Sequence, residues 1–254
     1  MSFAMSFPRL VFVTIAAGLF LAGPLAAEPP SNPAFKVEIS ATRHWTHGPD
    51  KVVFDADFPC ARLSDCELRD DGTFSLLIKA ENRPINHSPW FAFKVSAARP
   101  TQITAHLRCD SGSIRYTPKI STDGIHWISL PAESFQLRSR PEAKDGVLQL
   151  NVGPQPLWVA AQEIVSSDML EAWGRTLARL PFVTSAEIGP SLAGRPLYKL
   201  EIGEDGPRQG GYVVVIGRQH PPEVTGSLAL MRFIEEVVGD SDLARSFRNE
   251  FKVL

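Results

Sequence analysis

The stretch Tyr212-Val213-Val214-Val215-Ile216-Gly217-Arg218-Gln219-His220-Pro221-Pro222-Glu223 reads as an all-apolar strand, a turn and the start of a helix. An uninterrupted apolar run marks a strand buried on both faces, and the carboxyl end of such a strand is where open α/β sheets hold ligands. His220 and Glu223 then place an imidazole and a carboxylate three positions apart, on a bend stiffened by two prolines. That chemistry suits two ligands of a divalent metal. Glu223 would stand in the helix's first turn, where the dipole favours an anion. The plain alternative is a surface histidine followed by an ordinary helix-start glutamate.

Working outward from this stretch, the chain keeps an α/β rhythm. Tyr198, Leu200 and Ile202 alternate with Lys199 and Glu201, as in a half-exposed strand. Leu230, Phe233, Ile234, Val237 and Val238 recur at helical spacing, and Gly239 stops the helix. A shorter helix from Ser241 or Asp242, carrying Leu243 and Phe247, leads to a last strand, Phe251 to Leu254. Upstream, Asp168 is placed to cap a helix with Glu171 at its third position and Leu170, Trp173, Leu177 and Leu180 on one side. Residues 163–254 therefore read as an α/β segment.

Residues 28–162 have a different period. Phe35 to Ser40, Thr73 to Ala80, Trp90 to Ser96, Thr101 to Leu107, Ile114 to Ile120, His126 to Ser129 and Val147 to Val152 read as short strands. Asp70-Asp71-Gly72 and Thr122-Asp123-Gly124 supply tight turns. The fold class expected is two-domain α+β, with an N-terminal antiparallel β-sandwich followed by the first part of an α/β domain. Phe91 and Phe93 share one strand face and Trp90 and Ala92 the other, so the two phenylalanines are expected between the sheets. His44, His47 and Asp50 flank Gly48-Pro49 in a loop and read as surface residues.

Arg9, the apolar run Leu10 to Ala22 and the small residues before Glu28 match a signal peptide, residues 1–27, cut after Ala27. Pro24 interrupts the run before the roughly 18 residues needed to span a bilayer. Export to the periplasm or exterior follows, with no stable membrane anchor. In such a compartment Cys60, Cys66 and Cys109 can form disulfides in several pairings; Cys60 with Cys66 is the bridge expected, and three buried, unpaired thiols are the plain alternative. Formal net charge is -2 and the basic residues are scattered, which gives no footprint for nucleic acid.

The segment Ile188-Gly189-Pro190-Ser191-Leu192-Ala193-Gly194-Arg195-Pro196-Leu197-Tyr198, then the apolar strand, then His220-Pro221-Pro222-Glu223, resembles the opening of a zinc metallocarboxypeptidase catalytic domain. Trp90 to Ala97 and the Asp123-Gly124-Ile125-His126-Trp127 turn resemble the β-sandwich that precedes this domain in the cytosolic-carboxypeptidase-like branch. The resemblance spans about Glu67 to Leu254. It implies an eight-stranded α/β sheet in a complete member and hydrolysis of the C-terminal bond of a peptide or protein. It also implies Zn2+ held by His220, Glu223 and a later histidine, with a later glutamate activating water and an arginine gripping the substrate carboxylate. Pancreatic-type members have an arginine just before the glutamate ligand. Pro222 stands there in this sequence, as in the His-Pro-x-Glu motif of the cytosolic-type branch. Arg195, ahead of a half-exposed strand, reads as structural.

The third ligand and the catalytic glutamate do not occur before Leu254, and the sequence stops within a strand. The expectation is a fragment of the catalytic domain, inactive by itself, with strand edges and a helix face left uncovered. Related zinc amidase or deacylase chemistry is a second reading, and a non-catalytic exported protein that binds a peptide or glycan is a third.

Overall fold

A computed structural model describes residues 42–80, 89–138, 145–191, 194–204, 206, 210–220 and 222–254. Residues 1–27, read as a signal peptide, the strand expected from Phe35 to Ser40, and Leu192, Ala193 and Pro221 lie outside the described residues. In chain order the strands are β1 (His44–His47), β2 (Val52–Asp55), β3 (Asp65–Leu68), β4 (Phe74–Ile78), β5 (Ala92–Ser96), β6 (Thr101–Cys109), β7 (Lys119–Ser121), β8 (Ile128–Ser129), β9 (Phe135–Leu137), β10 (Asp145–Val152) and β11 (Leu157–Ala160). They are followed by α1 (Ser167–Leu177), β12 (Val183–Pro190), β13 (Pro196–Ile202), β14 (Gly211–Val213), α2 (Val224–Val238), α3 (Asp242–Glu250) and β15 (Phe251–Val253). The fold is mixed α+β.

The first eleven strands make two sheets, ordered β1-β2-β5-β11-β7-β8 and β3-β4-β6-β10-β9. Phe54, Phe93, Val95 and Val159 of the first sheet and Leu76, Leu107, Leu148 and Leu150 of the second belong to one buried cluster. The Phe54 ring lies 5.2 Å from Phe74 of the other sheet and 5.8 Å from Phe93 of its own. Phe91 and Phe93 are both buried there, as their alternation requires. On the opposite side of the same strand, Ala92 and Trp90 join a smaller cluster with Ala160, Ile164, Phe58 and Trp158. The Trp90 indole donates to the Cys60 carbonyl at 2.8 Å.

Several details depart from the sequence reading. β4 and β6 pair in parallel, so the strand set is not purely antiparallel. The expected strand Ile114 to Ile120 shrinks to β7, because Pro118 has no N–H for a ladder and serves instead through its carbonyl, which accepts from Leu130. His44 and His47 lie on a strand rather than in a loop. The Asp70-Asp71-Gly72 turn does join β3 to β4, with Gly72 at φ 79° and the Asp71 carboxylate accepting from the Thr73 N–H at 3.0 Å. The Cys60 to Cys66 bridge is not formed. Cys66 and Cys109 are buried thiols pushed up to about 12 chiefly by that burial, while the Cys60 thiol lies 4.0 Å from the Val165 carbonyl. Cys66 and Cys109 thus behave as small apolar core residues.

The third sheet runs β12-β13-β15-β14. β12 and β13 form an antiparallel hairpin with a bulge after Glu187, where Gly189 adopts φ 140°. β14 pairs in parallel with β15, and beyond it Val215 donates to the Leu254 carbonyl at 2.9 Å. One side of this sheet is covered by helices. Leu177 of α1 and Ile234 and Val237 of α2 share a cluster with Val183, Ile202 and Val253 of the sheet, and Phe247 of α3 packs against it.

The side chain of Ser166 caps α1 by accepting from the Met169 N–H, so Asp168 sits in the first turn rather than at the cap. Ser241 caps α3 in the same way. Leu243, expected on the apolar side of α3, is 80% exposed. The buried stripe of that helix consists of Ala244 and Arg248.

The reading of Tyr212 to Ile216 as a strand buried on both faces is also corrected. β14 covers only its first residues, and Tyr212, Val214 and Ile216 are exposed. β14 is at a sheet edge: Val213 and Val215 turn toward the helices, and no described element covers the alternate positions.

On the same open face, opposite Tyr212, Lys252 and Lys199 bind the Glu201 carboxylate at 2.9 and 2.5 Å. Lys199 first and then Lys252 hold the Glu201 carboxyl at about 2. A depressed carboxyl contributes stability that is complete above its unfolded value of 4.5 and drains away as pH falls through 2. Glu201→Gln is therefore expected to flatten the acid limb of stability between about pH 5 and pH 2, by a small amount because the group is at the surface. Thermal unfolding across that range checks this, and an unchanged acid limb contradicts it.

Candidate metal site

His220 and Glu223 meet at the amino end of α2. Glu223 is the residue immediately before the helix, in the capping position rather than the first turn, and Val224 behind it is completely buried. The Glu223 N–H donates to the His220 carbonyl at 3.1 Å, closing the turn. In return, the Glu223 carboxylate accepts from the His220 backbone N–H at 3.3 Å and lies 2.8 Å from His220 Nδ1. The two side chains therefore face each other across the turn, both open to solvent, at 72% and 52% exposure. The His220 imidazole, with the backbone N–H beside it, holds the Glu223 carboxyl below the ordinary carboxylate range, so it stays anionic in mild acid.

A neutral imidazole nitrogen and a carboxylate oxygen at contact distance form a donor set that zinc accepts, and the helix amino end adds a favourable dipole for the carboxylate. The pair supplies two of the three protein ligands such a site needs. Among the described residues there is no group of three or more His, Cys, Asp or Glu side chains that could enclose a metal ion.

The other residues weighed from the sequence do not join this site. His47 Nε2 contacts the Cys66 carbonyl at 3.0 Å, His44 lies beside Asp55 and Asp57, and Asp50 pairs with Arg99. The trio His44, His47 and Asp50 is thus dispersed among separate partners. Arg195 closes the β12–β13 hairpin through its backbone: its N–H donates to the Ser191 hydroxyl at 3.1 Å and its carbonyl accepts from the Ser191 N–H at 2.7 Å. These ties run through the main chain and not through the guanidinium that the sequence reading expected to supply them.

Two contacts that sequence reasoning passed over flank the turn. Arg218, two positions before His220, has φ 49° and donates from its guanidinium to the Val165 carbonyl. Thr225, two positions after Glu223, donates its hydroxyl to Gln162 Oε1 at 3.0 Å. Glycine or asparagine is usual at positive φ, so the visible signal was an arginine directly after Gly217 in a turn.

Comparison with known proteins supports the family resemblance. Residues 170–253 match the sequence model of the zinc carboxypeptidase family. No curated protein matches the chain. The fold resembles a metallo-carboxypeptidase from Burkholderia cenocepacia, with a TM-score of 0.67 and 19% identity over 80% of this chain and 54% of that one. It also resembles a metallo-carboxypeptidase from Pseudomonas aeruginosa in complex with (2-guanidinoethylmercapto)succinic acid, with a TM-score of 0.64 and 21% identity over 79% of this chain and 53% of that one. The chain spans about half the length of the solved structures it matches. At these identities the structural likeness establishes the fold, and the α2 turn lies within the residues that match the zinc carboxypeptidase model.

Proposed function

We propose that this chain contributes His220 and Glu223 to the zinc site of a metallocarboxypeptidase of the cytosolic-carboxypeptidase-like branch, which removes residues from the C-termini of peptides or proteins. The observation that carries the reading is the face-to-face placement of His220 Nδ1 and Glu223 Oε1 at 2.8 Å, inside the segment that matches the zinc carboxypeptidase family. The remaining ligand and the general base come from outside the described residues. In the same reading, residues 1–27 are an export signal, residues 28–162 a β-sandwich domain and residues 163–254 the amino-terminal portion of the α/β domain.

The chain's own residues perform the holding. The backbone N–H of His220 orients one carboxylate oxygen of Glu223, leaving the other beside the imidazole nitrogen. The low proton affinity of Glu223 keeps it available as an anion. When bound, zinc supplies a Lewis acid that polarises the scissile carbonyl and lowers the pKa of a bound water. Solvent exposure of the pair leaves one side open to a substrate. The compound bound to the Pseudomonas relative is a succinic acid bearing a guanidino group, and its carboxylates support a carboxylate-bearing substrate here.

The test is amino-acid release by the zinc-loaded full-length protein from matched peptides with free and amidated C-termini. Release from the free peptides alone is expected, and it should disappear with His220→Ala. Equal cleavage of amidated peptides, or release of acyl groups from small acylated amino acids in preference to peptides, would favour amidase or deacylase chemistry instead.

A further inference from the structure

We infer that Gln162 and Thr225, with Arg218, form a clasp that holds the His220–Glu223 turn in its ligating shape, so that the strand leaving the N-terminal sheets positions the metal pair. This rests on the zinc reading of that pair. The turn's own hydrogen bonds are local, the Glu223 N–H to the His220 carbonyl included, and both side chains are exposed. Both flanks are tied to the same short segment elsewhere in the chain. Before the turn, the Arg218 guanidinium donates to the Val165 carbonyl, 53 residues away in sequence. After it, the Thr225 hydroxyl donates to Gln162 Oε1, 63 residues away.

The segment that receives them is rigid. Gln162 follows β11 directly, and Ala161, Ile164, Val165 and Ser166 are all buried. Ser166 in turn caps α1, so the segment is fixed at both ends. The turn shows the constraint in its backbone. Arg218 occupies the left-handed region at φ 49°, a conformation that non-glycine residues rarely adopt and that persists only where surrounding contacts determine it. Gly217 beside it leans on α2, where an added Cβ would meet Leu230 at 3.3 Å. The two hydrogen bonds therefore fix the entry and exit of the turn, and the order of the metal ligands follows from a segment outside the family-matched residues.

Conservative and disruptive substitutions at one bond separate positioning from folding. Thr225→Val and Gln162→Met remove the donor or acceptor at similar size, whereas Thr225→Ser and Gln162→Glu keep it. Zinc affinity of the full-length protein, with its remaining ligand present, is read by competition with a chromogenic chelator and is expected to fall about 3–10-fold in the first two and to stay within about twofold of the parent in the second two. The Gln162→Met/Thr225→Val double variant should be no weaker than either single one. Without metal, amide hydrogen exchange across residues 222–226 should quicken in the disruptive pair alone. Parent-like affinity and exchange in Thr225→Val and Gln162→Met, alongside a His220→Ala variant that loses zinc, overturn the clasp and leave the zinc reading standing. A parent protein that takes up no zinc refutes the zinc reading, and unchanged exchange in the disruptive pair then overturns the clasp as well.

Discussion

Arg248→Met is expected to lower the stability of the C-terminal sheet and its helices by about 3 kcal/mol, the range for removing one partner of a buried charged contact. Its side chain is only 4% exposed. The guanidinium donates to the carbonyls of Val237 and Gly239 at 2.6 and 2.8 Å, pairs with Glu204 at 3.2 Å and stacks over the Phe182 ring at 4.1 Å. One side chain therefore satisfies carbonyls at the end of α2, bridges to the loop after β13 and covers an aromatic at the start of β12. Methionine replaces the stem but none of the donors, and the α2 carbonyls are left without partners in a site water does not reach freely. Glu204 contributes less to the loss, since it is 39% exposed and can return to solvent. Urea or thermal unfolding checks the figure, with a fall in melting temperature on the order of 10 °C. A change below about 0.5 kcal/mol would mean that the arginine's contacts do not hold α2 to the sheet.

Arg248 also shows where sequence reading stopped. The apolar spacing of α2 was legible because Ile234 and Val237 recur at helical intervals and do face the core. In α3 the same logic picked Leu243, which is exposed, because the stripe that faces inward carries an arginine and periodicity counts only apolar residues. An arginine four positions after Ala244 and next to Phe247 was the available signal for a buried cation.

Strand Tyr212 to Ile216 erred in the other direction. Its residue types match a strand covered on both faces, while Tyr212, Val214 and Ile216 stand at an edge of the described sheet without a covering layer. Composition reports what a strand can bury, and its neighbours decide what it does bury. Phe91 and Phe93 succeeded because period-two alternation fixes a face whatever the neighbours are. The cysteines failed because spacing in sequence says nothing about where side chains point. Cys66 is buried in the first core, whereas Cys60 sits with the smaller cluster at the opposite side of the sheet.

The candidate site was legible to the extent that it is local. His220 and Glu223 lie within one turn, and a three-residue spacing brought them to 2.8 Å as the motif required. Gln162 and Val165 reach the same turn across more than fifty residues, through β11 and α1, and no local pattern marks them. The match of residues 170–253 to the zinc carboxypeptidase family covers the His220–Glu223 turn but excludes Gln162 and Val165, which contact its flanks.

Zinc affinity of the full-length protein, which carries the remaining ligand, against its His220→Ala and Glu223→Ala variants tests the account at its centre. Loss of a supporting contact around a metal typically weakens binding 10–100-fold, so loss of a direct ligand is expected to weaken it by more than about 100-fold. Both variants should fold as the parent does, because the pair is exposed and its mutual bonds are local. Uptake should also weaken as the solution is acidified, since metal ligands must be deprotonated to bind. One equivalent of zinc in the parent, lost in both variants with unchanged unfolding curves, is the predicted result. Equal zinc affinity in all three proteins, or no uptake by the parent, would contradict the assignment of His220 and Glu223 as ligands.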